Sequence, residues 1–382
     1  MSASRYDVVI TGALCNMDIA WAEALTRRGL RCAVVRPAAT PVPPKGQLPG
    51  PVEHFDYGDV LTTQGSRWFY AVCRNAKCIL SLTGSVIPHL GWRWFIAPVL
   101  GLPPIINVTT GSDITELAVR STFEGWRYRL LLRRAYLTVL NVHANALQNA
   151  QELHLNRFTF LRYPFLLAPR RADTQHRNGP ITYLHPSHLD WGVTDSGRWR
   201  NSTKGNDRFL RAFFRAIRQG VDLRCIIVNR GPDREIARRM TEESGCADHF
   251  DWREPVSPRA LIELFHEADV VVDQFDVGTI GAIAMEAMAQ GKPVMAYIAN
   301  EALRLRYDTL PPVLNCRSQD EIFDTILANQ SRQELQETGD RADRWVRDNH
   351  VNGPDVDRLV FQIAVAAGLT WPIGVERSDK PA

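Results

Sequence analysis

Several common signatures are missing from these 382 residues. No Cys-x-x-Cys pair occurs: the seven cysteines, at 15, 32, 73, 78, 225, 246 and 316, are scattered and odd in number. That excludes a cysteine-built metal site and a disulfide framework, and predicts reduced thiols in a cytosol. Charge of one sign is not in excess: a formal net charge of +3 is too small to mark a nucleic-acid binder. No long apolar run is unbroken. The best membrane-span candidate, Trp92–Val108, is interrupted by Arg93, Pro98, Pro103 and Pro104. It reads as a loop leading into a strand at Pro104–Val108. The opening MSASRYDVVITG enters a strand at once, without the regions of a signal peptide, so a cytoplasmic protein is expected. Short-period repeats are absent. So is the Gly-x-Gly-x-x-Gly fingerprint, and Arg36 stands where a dinucleotide site needs an acid, which disfavours an oxidoreductase.

What is present is a two-part α/β pattern. Hydrophobic content of 45% and charged content of 23% suit a soluble globular protein, and the length suits two domains. Strands are expected at Tyr6–Thr11, Cys32–Val35, Cys78–Leu82, Pro104–Val108 and Phe158–Arg162, with a helix from about Met17 to Arg28 stopped by Gly29. Residues 167–180 (LAPRRADTQHRNGP) are polar and punctuated by Pro and Gly, as a linker is. Alternation then restarts with strands at Ile181–Leu184 and Arg224–Val228. Helices are expected near Asp207–Arg218, Asp233–Glu243, Pro258–His266, Arg332–Asp348 and Pro354–Gly368. The fold class is therefore α/β, with two doubly wound domains, 1–166 and 181–353, facing a cleft.

Residues 268–298, ADVVVDQFDVGTIGAIAMEAMAQGKPVMAYI, carry the densest signal. Val270–Val272 suits a central parallel strand. Gly278 and Gly281 permit close approach of backbone to ligand at the strand's carboxyl end. The helix from about Gly281 to Gln290 aims free N–H groups at that spot, which suits a phosphate. Glu286 is a lone acid among small apolar residues, so it either faces water or holds a partner.

This segment resembles the donor motif of retaining nucleotide-sugar glycosyltransferases of the two-domain GT-B architecture. Their pattern is an acid, a short Phe-Gly-like loop, then Glu-Ala-Met-Ala-x-Gly-x-Pro-Val, and Glu286–Val294 (EAMAQGKPV) matches its second half. The resemblance implies that Glu286 accepts hydrogen bonds from the donor ribose. It implies that Val277, Gly278, Thr279, Ile280 and Gly281 hold the diphosphate and sugar. It also implies that the helix in 354–370 crosses back onto the first domain; residues 371–382 read from their own composition as a disordered tail. One departure stands out. Eight positions before Glu286, where the family's first acid sits, the chain has Gly278; Asp273-Gln274 and Asp276 are out of register.

Further candidates flank the cleft. The loop 185–204 (HPSHLDWGVTDSGRWRNSTK) ends in Lys204-Gly205. In the resembled family a Lys-Gly and an earlier basic residue neutralise the donor diphosphate; Lys204 fits, with Arg198 preferred over Arg200 as its partner. His185 and His188 lack ligand partners at metal spacing, so a zinc site is not expected. Asp113 follows Thr109-Thr110-Gly111-Ser112 and either touches the acceptor or sugar, or N-caps a helix starting at Ile114; the two roles can coexist. Gly12 and Ala13 form a small-residue loop. Gly231 ends a strand. Trp252 and Val256 occupy the loop where the resembled family holds the base, and Trp252 either stacks on it or packs in the core. Glu124–Tyr136 (EGWRYRLLLRRAY) is a basic stretch that is either the outer face of a packed helix or a peripheral membrane contact.

The reading is a glycosyltransferase that takes a sugar from a nucleotide-diphosphate donor to an unidentified acceptor: a glycan, a lipid-linked glycan or a small molecule. Retention of anomeric configuration is implied by the resemblance alone. The donor is a co-substrate and no cofactor is expected. No Asp-x-Asp stands at a strand end, so cationic side chains take the metal's role. The rivals are a GT-B epimerase or phosphorylase and a non-catalytic sugar-nucleotide binder, which Gly278 and Thr110 keep open.

Overall fold

The computed structural model describes residues 6–12, 17–36, 60–85, 101–110, 113–140, 146–165, 167–170, 178–192, 203–351 and 355–369. The first sheet contains β1 (Tyr6–Thr11), β2 (Cys32–Arg36), β3 (Val60–Thr62), β4 (Ala76–Leu82), β5 (Ile105–Val108), β6 (Leu137–Leu140) and β7 (Phe158–Phe160). Their order is β3-β2-β1-β4-β5-β6-β7, all parallel. The second sheet contains β8 (Ile181–His185), β9 (Leu223–Val228), β10 (Phe250–Arg253), β11 (Val270–Val272), β12 (Val294–Ala296) and β13 (Leu314–Asn315). Its order is β10-β9-β8-β11-β12-β13, again all parallel. β1 and β11 are buried along their whole length, as central strands covered on both faces must be.

Four strands, β3, β6, β10 and β13, were not legible from periodicity. β10 covers Trp252, which the sequence reading placed in a loop. It is a short edge strand registered on β9, with Trp252 opposite Ile227. β6 follows directly on the helix Phe123–Arg134, whose leucines extend the apolar pattern without a break. The expected helix from Ile114 is instead a π-helical turn, Asp113–Leu117.

The helix Asp355–Ala367 packs on the first sheet. Val356, Leu359, Val360 and Ile363 form one stripe at helical spacing and share a core with Val8, Ile10, Cys78 and Leu80. Asp355 anchors its start: Oδ2 accepts from Arg162 Nε at 2.8 Å and from the Arg162 amide at 2.9 Å. Just before it, the helix Arg332–Val346 runs into a π-helical turn, Arg347–Val351. There His350 Nδ1 lies 2.8 Å from the Tyr163 carbonyl and Nε2 lies 3.1 Å from the Tyr307 hydroxyl. A carbonyl only accepts, so Nδ1 carries the proton and Nε2 accepts from Tyr307. Burial presses this imidazole down to about 3, so it is neutral in this seam.

Candidate functional site

The second sheet reverses its winding direction between β8 and β11, the place where open α/β sheets bind ligands. β11 leads into Asp273, which is 2% exposed. Its Oδ1 accepts from Ser187 Oγ at 2.6 Å, and its backbone carbonyl accepts from Asn206 Nδ2 at 3.0 Å. Its Oδ2 has no hydrogen-bond partner and lies against Gly281, where a Cβ would stand 2.6 Å from it. Buried Gln274 follows. It donates from Nε2 to the Thr279 carbonyl at 2.6 Å, and its Oε1 accepts from the Val277 amide at 2.7 Å. This side chain therefore pins residues 277–279 from within.

Gly278 sits in the left-handed region at φ 73°, and its carbonyl accepts from the Ala299 amide at 2.8 Å. A Cβ there would meet Ala299 Cβ and Tyr297 Cε1 at 3.0 Å. An acidic side chain is thus disfavoured by both space and backbone conformation.

The helix Ala282–Ala289 starts at Gly281, which offers no side-chain cap, and its first intrahelical bond runs from the Met285 amide to the Gly281 carbonyl at 3.1 Å. The amides of Ala282, Ile283 and Ala284 precede that bond and point out of the helix start, with the positive dipole end. One turn further in, Glu286 keeps part of its surface accessible but is hemmed in by apolar neighbours. Its carboxylate has no protein partner among the described residues. Burial pushes it up to about 7, against an opposing pull from Arg230.

Lys204 reaches the same place through its backbone. Its amide donates to the Asp190 carbonyl at 2.6 Å and its carbonyl accepts from the Phe275 amide at 2.7 Å. Asp276 ties the two loops together, accepting from Thr203 Oγ1 at 2.7 Å and from Arg208 Nη2 at 2.7 Å. Lys204 has no ion-pair partner among the described residues. His185, at the end of β8, is fully buried and neither ring nitrogen has a hydrogen-bond partner. Burial presses it down to about 4, with Arg230 and Lys204 adding to the effect and Asp273 opposing it. Asp273, His185, Lys204, Arg230 and Glu286 therefore form one electrostatic neighbourhood under and beside the helix start.

Other sequence-chosen residues have structural duties here. Gly231 has φ 111°, and a Cβ would lie 2.4 Å from the Leu189 carbonyl oxygen; it lets two loops cross. Gly12, at φ 108°, is pressed against Leu82 in the same manner. Asp113 is 1% exposed, and Oδ1 accepts from the Thr110 and Ile114 amides at 3.1 Å each, which ties the preceding loop to the first turn of the π-helical segment. Trp252 joins the core cluster of its domain with Arg238 4.8 Å from its ring, which favours packing over a free stacking face. Val256 packs on the cluster containing Val271 and Met288. Ala13, Arg198, Arg200, Gly111, Ser112 and 371–382 lie outside the described residues.

Three residues of this neighbourhood carry no site role in the sequence pattern: Asp273 and Gln274, which are out of register with the motif, and Arg230. The available signal was weak, namely an acid and an amide directly after the central strand and a cation directly after its neighbour. Among the described residues, no cluster of three or more His, Cys, Asp or Glu gathers as a metal site, and no helix is long and apolar enough to cross a membrane.

Comparison with known proteins places this site in a wider setting. Residues 196–303 match the family described as glycosyl transferases group 1. Sucrose-phosphate synthase from Thermosynechococcus elongatus is similar in structure, with a TM-score of 0.63 at 14% identity, covering 95% of this chain and 100% of that one. Anabaena HepE, solved with UDP and glucose, gives the same four figures. A putative UDP-N-acetylglucosamine 2-epimerase from Listeria monocytogenes reaches 0.52 at 12% identity, covering 94% and 95%. No curated protein matches the sequence. The architecture is the GT-B fold, two Rossmann-like domains.

Proposed function

We propose that this chain transfers a sugar from a nucleotide-diphosphate donor to an acceptor, with retention at the anomeric carbon. The observation that carries this reading is Glu286: a half-buried carboxylate with no partner among the described residues, one turn into a helix whose start is bare of side-chain caps. A ribose diol offers two O–H donors to such a carboxylate, while a diphosphate suits the bare amides before it. Lys204 supplies positive charge where the leaving nucleotide gains negative charge, with Arg198 as its expected partner, and no further cofactor is invoked. Asp113, buried against the Thr110 and Ile114 amides, serves the acceptor side by shaping the loop. The acceptor enters from the first domain. There Phe123 and Trp126 stack with ring centroids 5.7 Å apart and remain 68% and 44% exposed, with Arg133 and Arg134 exposed on the same helix. That surface suits an acceptor presented at a membrane.

The test is a thermal-shift screen against UDP, GDP, dTDP and ADP and their sugars. A ligand well above its dissociation constant raises Tm by linkage. A shift with one base supports the donor site; none with any base removes it. A second reading, a non-catalytic sugar-nucleotide binder, is favoured by the exclusion of an acid at Gly278, and would show as binding without turnover. An epimerase would turn over the donor without transfer.

Glu286 also sets a pH dependence. Only the ionised carboxylate accepts from both ribose hydroxyls, and in the free protein it titrates near 7. Affinity for the nucleotide is therefore expected to rise as pH goes from 6 to 8, with proton release on binding below neutrality. Glu286→Gln should flatten this profile, and Glu286→Ala should weaken binding by about 1–3 kcal/mol. Calorimetry in buffers of differing ionisation heat checks both; a flat wild-type profile would place the ribose elsewhere.

A further inference from the structure

We propose that Asp273 is a buried charge of like sign set behind the diphosphate, a positioning residue that limits how tightly the product nucleotide is held. The inference rests on the donor-site reading above and deepens it.

The geometry is specific. Asp273 follows the central strand, is nine-tenths or more buried, and turns one oxygen to Ser187 and the other, unpartnered, to Gly281. Gly281 is the N-cap of the helix Ala282–Ala289. Only the thickness of that backbone separates Oδ2 from the helix start, since a single added methyl would already collide with it. A diphosphate on the amides of 282–284 therefore sits over a fixed negative charge of like sign.

An unpaired carboxylate oxygen in such a place is costly, so a packing role alone would be met more cheaply by an amide or a hydroxyl. The charge has two effects instead. In the free protein it offsets Lys204 and Arg230, whose fields overlap at neighbouring His185. In the complex it opposes the leaving group, which carries more charge than the donor sugar had contributed there. Product, being the more anionic, is penalised most. The groups facing Asp273 are Ser187 and His185 from β8 and its loop, Asn206 from the following helix, and the Gly281 backbone.

The experiment compares Asp273→Asn with wild type by calorimetry against UDP, UMP and uridine. If thermal shift selects another base, that base's diphosphate, monophosphate and nucleoside are used. Asp273→Asn is expected to bind the diphosphate roughly tenfold or more tightly, the scale of two charges several ångströms apart in a protein-like dielectric. The monophosphate should gain less and the nucleoside nothing. Ser187→Ala, which keeps the charge and loses only the bond to Oδ1, should leave diphosphate affinity within about threefold of wild type. An unchanged or weaker diphosphate affinity in Asp273→Asn overturns the proposal, as does an equal gain for the nucleoside. If Asp273→Asn does not fold, Asp273→Ser carries the test; failure of both to fold shows a structural carboxylate and also overturns it. Wild type that binds none of the four diphosphates overturns the donor-site reading itself, a separate result.

Discussion

Lys204→Ala should lower turnover of the cognate nucleotide sugar by roughly 100-fold, the usual cost of removing one group that stabilises developing charge. The side chain has no ion-pair partner among the described residues, and Arg230 remains to offset buried Asp273, so Tm should hold. The effect should fall on kcat more than on KM, because the charge on the leaving diphosphate grows as the glycosidic bond breaks. Release of nucleoside diphosphate, followed at saturating donor, reads this without knowledge of the acceptor. A kcat within about threefold of wild type would move the diphosphate away from Lys204. The backbone of residue 204 is held by Asp190 and Phe275, so the loop keeps its path whatever the side chain.

Gly339→Ala should be the most damaging single methyl for stability. Residue 339 lies inside the helix Arg332–Val346, where alanine is intrinsically better than glycine by about 1 kcal/mol. That gain is overwhelmed. A Cβ at 339 would lie 1.9 Å from the Gly291 carbonyl oxygen and 2.7 Å from its carbonyl carbon. Neither atom belongs to a side chain that can swing away, so helix or turn must shift, at a cost of about 3 kcal/mol or more. Tm should fall by roughly 5 °C or more. Gly291 belongs to the turn that ends the Glu286 helix, so nucleotide affinity should weaken as well. A Tm equal to or above wild type would mean that the two backbones are not in contact.

The sequence carried the architecture well because parallel central strands read as apolar runs and the donor helix has a near-complete motif. Glu286, Lys204 and the 277–281 loop are legible in that way: each sits beside its neighbours in sequence. The parts that were missed depend on contacts between distant positions. Asp273 meets Ser187 across 86 residues, and Gly231 is explained only by Leu189, 42 positions earlier. A glycine chosen as ligand-facing and a glycine wedged between loops look alike in a string of letters. In Asn229-Arg230-Gly231 the glycine is the conspicuous letter, whereas the arginine is the residue whose charge reaches Glu286 and His185. β10 is not legible because an edge strand of four residues, ending at Arg253 just before Glu254-Pro255, has too short a pattern to show a period.

The last helix has a consequence for how the chain is made. The first domain shares its core with Val356, Leu359, Val360 and Ile363, which are synthesised nearly two hundred residues after β7. During vectorial synthesis the second domain emerges and can fold while the first still exposes an unfilled apolar groove. Completion of the amino-terminal half is thus deferred until the helix Asp355–Ala367 has been made, the reverse of the usual order for multidomain proteins. Nascent chains stalled after residue 351 should leave the first domain open to protease while the second is already protected. Equal protection of both would show that the groove closes without its helix.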